Sequence, residues 1–445
     1  MSDELDNLLI SWSQAGADDR LLKLHWEMKR GALFPENALK GEPQRKDVRE
    51  ICNKVWANGD RAIEEFTEKF DGVKLVPGQF RVGEKELAQA HKEIDKKLLG
   101  SIRQAIENVR KYQTGIFVGC KSNLSGHTGI RYTPIRRVGI CVPGAAAPLP
   151  STVIMTAAPA QVAGVEEIAV VSPPRYKGSI HPVILAVCYE LGLEEVYRIG
   201  GAQAVAALAH GTDSVRKVDK IVGPGNRWVQ TAKLEVFGHV GIDSIAGPSE
   251  VLIIADDQAN AGWVAADMLS QAEHSPGSAI VFTTSETLAN EIVEELREQL
   301  KQLKRGNEAR ECLLNLSAIV VFRDIESLIE RANSFAPEHL EIHCGDASRE
   351  IADQITNAGA IFIGEYSPVA VGDYWAGPSH TLPTGQTAKF FSPLSANDFI
   401  KSTSIIEYSK EQLAASAEDI IRLAEVEGLD AHARSIRIRQ SADGG

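Results

Sequence analysis

Residues 137–174 read RVGICVPGAAAPLPSTVIMTAAPAQVAGVEEIAVVSPP. The stretch opens on a short apolar run, passes through a Gly/Pro turn into an Ala-rich segment of helical length, and closes on a second apolar run. Strand, helix and strand in that order are the unit from which parallel sheets are built. The pattern continues downstream in "HPVILAVCYELG", "EVYRIGG", "AQAVAALAHG" and "KIVGPG". A second series runs from "VLIIADD" at 251–257 through "AIVFTTS", "AIVVF", "HLEIHC" and "AIFIG". The two series break at "GHVGIDSIAGPSE", a connector containing Gly and Pro. Two α/β units of similar design are therefore expected.

The flanks differ in texture. Residues 1 to about 115 carry charged amphipathic segments such as "DVREICNKVWANGDRAIEEFTEKF" and read as mostly helical. From about 390 the chain reads as a loop, an amphipathic helix "EQLAASAEDIIRLAEVEG" and a basic tail. A length of 445 residues calls for two or more domains. A net charge of −13 argues against nucleic acid or an anionic membrane as a general partner. No apolar run approaches a membrane span, and the acidic start "MSDELDNLLISWSQAG" is no signal peptide, so a cytoplasmic protein is expected. The six cysteines are scattered without a CxxC pair, which suggests buried thiols and not a disulfide framework or a thiolate zinc site.

The dinucleotide fingerprint GxGxxG is missing. Gly/Pro turns stand in its place at "VPGAAAPLPST", "IGGAQA" and "VGPGN", each between a strand and a helix where N–H groups can meet a phosphate. In "SQAEHSPGS", Gln271 and His274 fall three residues apart at a helix end that Pro276 forces. They form either a polar end facing water or a pair aimed at one ligand. In "FAPEHLEIH", Glu338 and His339 form either a solvated loop or an acid–base pair at a sheet end. Asp373, in a Gly-Asp-Tyr turn, is a turn former or a ligand. Two histidines, an aspartate and a glutamine carbonyl would make an N/O site suited to zinc.

These segments together resemble the histidinol dehydrogenase family across nearly the whole chain. The resemblance rests on "VGICVPGAAAPLPSTVIM", "IGGAQAVAALAHGT", "DKIVGPGN", "IDSIAGPSEVLIIAD", "LSQAEHSP", "APEHLEI", "GDYWAGPSHTLPTG" and "EGLDAHA", in the family's order. It implies an α/β fold of two incomplete Rossmann-like domains with parallel sheets, an N-terminal helical arm and a C-terminal helical tail. The arm would be residues 1–38. Residues 39–141 and 251–389 would form the first domain, with the zinc and substrate site. Residues 142–250 would be the second, inserted domain on the NAD side, and 390–445 a tail reaching the partner subunit of a homodimer.

The activity implied is zinc-dependent oxidation of L-histidinol through the aldehyde to L-histidine, with two NAD+ used in succession. By the same resemblance the zinc ligands are Gln271, His274, Asp373 and His432, and these also contact substrate together with Ser249, His339, His380 and Glu427. His339 would take the alcohol proton and Glu338 would activate water for the aldehyde step. Gln203 and Asn226 are the implied cofactor contacts. One departure stands out: Cys141 occupies a position where many members have tyrosine, and the following turn reads Gly144-Ala145. A family member acting on another primary alcohol, such as a sulfonated diol, and a non-catalytic two-lobed zinc protein are the alternatives. An acidic partner such as Glu427 suits a cationic amino alcohol, and pure binding has no need of an acid–base pair.

Overall fold

Apolar runs that are buried on both faces serve as interior strands of a covered parallel sheet, and this chain uses them so in two places. The computed structural model describes residues 4–14, 16–32, 38–144, 148–274 and 277–441. Its strands in chain order begin with β1 (Leu9–Ser11), β2 (Ser122–Ser125), β3 (Thr128–Pro134), β4 (Arg137–Cys141) and β5 (Glu167–Val171). They continue with β6 (Glu195–Tyr197), β7 (Lys220–Val222), β8 (Gly241–Ile242), β9 (Ser249–Ala255) and β10 (Gly277–Thr283). The last are β11 (Ala318–Val321), β12 (His339–His343), β13 (Ala360–Ile363) and β14 (Ile400–Ile406).

The chain divides into two compact units: residues up to Phe117 with Ile135–Phe399, and Val118–Pro134 with everything from Ile400. The first unit holds two wholly parallel sheets, ordered β6-β5-β4-β7-β8 and β1-β11-β10-β9-β12-β13. In each, the first strand of its series is central, the next two lie on one side and the following two on the other. That is Rossmann order, with a switch point between β4 and β7 and another between β9 and β12. The second unit carries an antiparallel sheet, β14-β3-β2, and the helices Lys410–Val426 and Asp430–Ser441. Ser409 and Gln412 close a reciprocal capping box at the first of these helices. No helix among the described residues is long and apolar enough to cross a membrane.

The sheets divide the chain differently from the boundaries expected. β4 was placed with the zinc-side domain, yet all five of its residues are buried and it is the central strand of the other sheet. The helices Ala38–Asn58 and Asp60–Asp71 go with it, because Val48, Ile51, Val55, Ile63 and Phe66 share a core with Tyr197, Ile199 and Leu208. The N-terminal arm is not purely helical either. Leu9–Ser11 pairs with β11 as an edge strand, and Leu5, Leu8 and Ile10 are buried. After Phe399 the expected loop is strand β14, and the basic tail is a helix, with His432 in its first turn.

A charge cluster fastens the amino ends of three adjacent strands. Arg137, 6% exposed at its side chain, binds Glu167 at 2.8 Å and Glu195 at 2.6 Å, and Arg216 and Tyr197 also reach Glu195. Burial alone would raise the Glu195 carboxyl, but these partners outweigh it and hold it at about 2. A carboxyl held below its unfolded value stabilises the fold above that value and loses the contribution as pH falls toward the folded one. Glu195→Gln should therefore cost about 3 kcal/mol at neutral pH. The deficit against wild type should shrink between pH 4.5 and 2, as urea unfolding curves at several pH values would report. A constant deficit across that window would show that Glu195 acts by packing alone.

Candidate active site

The register of three strands assembles the amino-terminal edge of the six-stranded sheet. Gly277 pairs with Ser249, and His339 pairs with Val251. The two-residue period of a strand puts His339, Glu341 and His343 on one face. That face is covered by the helix Ala261–Ala272, whose Val264, Met268 and Leu269 pack on Val251 and Ile253. Asn260 caps the helix by accepting the Trp263 N–H at 3.1 Å. Asp267 and Gln271 lie one turn apart on it. Gln271 is buried and its Nε2 has no partner; His274 follows just past the helix end, its N–H bonded to the Gln271 carbonyl at 3.2 Å. A Cβ at Gly277 would come 2.2 Å from that carbonyl, so only glycine lets the chain double back tightly into β10. Ser275 and Pro276 lie outside the described residues.

Glu338 and His339 sit where this edge meets the loop Ser379–Gly385. Glu338 Oε2 accepts from Ser249 Oγ at 2.7 Å and from the Glu250 N–H at 2.9 Å. His339 Nδ1 lies 3.0 Å from the Glu250 carbonyl, which can only accept, so Nδ1 holds a proton in either charge state of the ring and Nε2 is the atom that gains or loses the second one. That Nε2 is buried, has no hydrogen-bond partner, and stands 3.8 Å from Asp373. The loop is tied to the helix Pro150–Val162 and to β9. Ser379 Oγ donates to the Met155 carbonyl at 3.0 Å, and the Gly385 N–H donates to Glu250 Oε1 at 2.9 Å.

The electrostatics follow from burial and these neighbours. Burial raises the Glu338 carboxyl above the usual range, against the opposing pull of His339 and the two donors. Burial and the Glu338 charge push Glu250 up to about 8, which leaves it neutral at pH 7. Burial would lower His339, but Glu338 and Asp373 raise it to about 9, so beside an uncompensated Asp373 the ring is a cation at neutral pH. Asp373 would also be raised by burial; His339, His380 and His274 together hold it below the ordinary carboxylate range. Three imidazoles and one carboxylate therefore converge here, with Gln271 buried at the same sheet edge.

Sequence reasoning missed a second buried group deeper on the same face. His343 Nε2 lies 3.6 Å from Glu341 and 3.9 Å from Asp267. Glu341 Oε1 accepts the Val369 N–H at 2.7 Å and so anchors the helix Val369–Tyr374 that carries Asp373. These three residues are grouped closely enough to hold a metal ion, and they are not the ligand set expected. The available signal was "HLEIHC", a strand with polar residues at every second position.

The other sheet forms a crevice at its switch point. A cavity of about 360 Å³ opens at the carboxyl ends of β4, β5 and β7, lined by Cys141, Gly144, Gly200, Gln203, Gly225 and Asn226 among others. Gln203 is 1% exposed and neither amide atom has a partner. Asn226 caps the helix Arg227–Val236, accepting the Trp228 and Val229 N–H groups at 3.1 and 3.2 Å. Gly223, at φ +104°, approaches the Cys141 carbonyl so closely that a Cβ would stand 2.4 Å away. The buried Lys233 ammonium holds the same turn by its bond to the Gly223 carbonyl at 2.9 Å. Cys141 faces the cavity as an apolar group, its thiol pushed up to about 12 by burial. Ala145 lies outside the described residues.

Of the residues picked from the sequence, Ser249, Gln271, His274, Glu338, His339, Asp373 and His380 belong to the first unit around one sheet edge. Gln203 and Asn226 line the crevice. His432 and Glu427 belong to the second unit, where both are exposed.

A switch-point crevice on one parallel sheet and a buried carboxylate–imidazole pair on its neighbour define an α/β oxidoreductase of the dehydrogenase kind. Comparison with known proteins narrows the class. The sequence profile of histidinol dehydrogenase matches residues 35–440. Histidinol dehydrogenase of Rhodopirellula baltica is 50% identical over 396 residues, covering 88% of this chain and 86% of that protein. The Bacillus cereus histidinol dehydrogenase is 46% identical over 404 residues, covering 89% and 93%. The crystal structure of histidinol dehydrogenase from Elizabethkingia anophelis superposes with a TM-score of 0.88 at 32% identity, covering 98% of each chain. The chain belongs to the histidinol dehydrogenase family, and it is an enzyme, an oxidoreductase.

Proposed function

We propose that this enzyme oxidises L-histidinol to L-histidine through L-histidinaldehyde, the closing steps of histidine biosynthesis, reducing two NAD+ in succession and holding one zinc per subunit. The observation that carries the reading is the His339 ring, anchored through Nδ1 with Nε2 free beside Asp373. With the Asp373 charge neutralised by the metal it would hold, the support that keeps the ring a cation is weakened, and His339 in its neutral form accepts the alcohol proton at Nε2 as hydride leaves the carbinol carbon. Glu338, its Oε2 held by Ser249 and the Glu250 N–H, then takes a proton from the water that adds to the aldehyde. Glu250, neutral, adds no second negative charge beside it.

The donor set fits zinc: the orphaned side chain of buried Gln271, and an Asp373 carboxylate whose field is shared by His274, His339 and His380. Gln271, His274, Asp373 and His432 would hold the ion, and Ser249, His339, His380 and Glu427 would surround the substrate. The crevice fits a dinucleotide, with the unpaired amide of Gln203 and the glycine-lined turns beside it. Asn226 serves through its Nδ2, since its Oδ1 caps a helix. When bound, zinc supplies a cationic template for the substrate's amine and imidazole, and NAD+ supplies the hydride acceptor.

The enzyme acts as a homodimer in which the tail completes the partner's site. This reading is supported by the surface of the second unit, where Ile406, Leu423, Val426 and Ile438 are exposed apolar residues alongside the exposed His432 and Glu427. The buried thiols of Cys52, Cys141, Cys188, Cys312 and Cys344, none of them in a disulfide, suit a cytoplasmic enzyme. The deciding experiment is NADH formation by purified protein with L-histidinol against a sulfonated diol. Only the first should be turned over, and the opposite result would favour the alternative substrate.

Metal removal gives a further expectation. Treatment with a chelator should reduce NADH formation to background while far-UV circular dichroism stays unchanged, because the ligands sit at a sheet edge packed independently of them. Added zinc should restore turnover. Full activity of protein verified as metal-free would rule out a zinc role.

A further inference from the structure

The crevice carries an ion pair that neither the family resemblance nor the site chemistry assigns. Arg175 lies four residues beyond Val171, the last residue of β5, and Asp71 closes the helix Asp60–Asp71; both line the cavity. Gly72, left-handed at φ +69°, ends that helix and sets the Asp71 side chain at its C-terminus. Arg175 Nε donates to Asp71 Oδ1 at 2.8 Å, and its Nη2 to the Phe70 carbonyl at 3.4 Å. The Asp71 side chain is 4% exposed and that of Arg175 is 41% exposed. Asp71 Oδ2 is buried without a partner.

Position gives the pair its meaning. With β4 as the first strand of the Rossmann order, β5 is the second, and the adenosine ribose of a dinucleotide lies beyond the carboxyl end of that strand. An acidic side chain there suits a free 2′-hydroxyl, whereas an arginine suits a 2′-phosphate. This crevice holds one of each, joined to one another. We propose that the Asp71–Arg175 pair sets cofactor choice: with Asp71 engaged on Arg175, the cavity favours NAD+ over NADP+, and removing the Asp71 charge releases Arg175 to take a 2′-phosphate. The proposal rests on the dinucleotide reading of the crevice.

Direct binding tests it without turnover. NADH and NADPH dissociation constants are measured by nucleotide fluorescence for wild type, Asp71→Asn, Asp71→Ser, and Asp71→Asn combined with Arg175→Ala. Wild type should bind NADH more tightly. Asp71→Asn should tighten NADPH binding by about 10-fold or more, the scale of one released charged hydrogen bond, and change NADH binding less than about threefold. Arg175→Ala in the same chain should cancel the gain. Asp71→Ser repeats the release without a buried amide, should the asparagine variant fold poorly by far-UV circular dichroism. Folded variants that bind NADH with an unmoved NADH-to-NADPH ratio overturn the proposal alone. A gain that survives Arg175→Ala overturns it too. Wild type that binds neither nucleotide overturns the dinucleotide reading and the proposal with it.

Discussion

Glu338→Gln should lower the oxidation of added L-histidinaldehyde by about 10²- to 10⁴-fold, the usual yield of a positioned general base. The first hydride transfer from L-histidinol should fall far less. The difference arises because the two steps ask for different protons. The alcohol proton goes to His339 Nε2, whose tautomer is set by the Glu250 carbonyl and not by Glu338. The water proton goes to the Glu338 carboxylate. Glutamine keeps the shape and can still accept from Ser249 Oγ and the Glu250 N–H, so the sheet edge stays intact, but its amide cannot take a proton at neutral pH. Single-turnover measurement of NADH formation from histidinol, beside steady-state oxidation of the aldehyde, separates the steps. Equal losses in both would mean that Glu338 is not the base of the second step.

Much of the sheet arrangement is legible in the sequence. Apolar runs such as "VLIIADD" and "AIVFTTS" can be satisfied only inside a covered parallel sheet, and β9 and β10 are buried along nearly their whole length. The helical spacing of Gln271 and His274, and the Pro-Glu-His entry to β12, are local features, and the fold brings these side chains to one sheet edge. What escaped notice depends on contacts distant in sequence. β1 is three residues long, and its pairing with β11 is invisible in any local window. Glu341 and His343 alternate with apolar residues, a pattern that on a half-exposed strand means a solvated face. Only helix Ala261–Ala272 packing over that face shows that both are buried and that Glu341 steadies the helix of Asp373. Glu250 likewise falls in the connector "GHVGIDSIAGPSE" when read from sequence, whereas it lies within β9 and its carbonyl orients the proposed base.

The largest effect expected of any variant pair concerns His432. In the proposed homodimer the zinc ligands Gln271, His274 and Asp373 come from one subunit and His432 from the other. His274→Ala and His432→Ala homodimers should both be inactive, since every site lacks a ligand. In a mixed dimer both lesions fall in one site, and the other site is complete. Random co-refolding of equal amounts places half the molecules in mixed dimers with one working site of two. Activity should then rise from background to about a quarter of wild type. The rise should follow the fraction of mixed dimers, which differently tagged subunits would report. If His432 serves its own subunit, a mixed dimer contains one site lacking His274 and one lacking His432, and no proportion of subunits recovers activity. Mixed dimers present without recovered turnover would therefore assign the tail to its own chain, and would leave the exposed apolar residues of the second unit to be explained by dimer contacts that carry no ligand across.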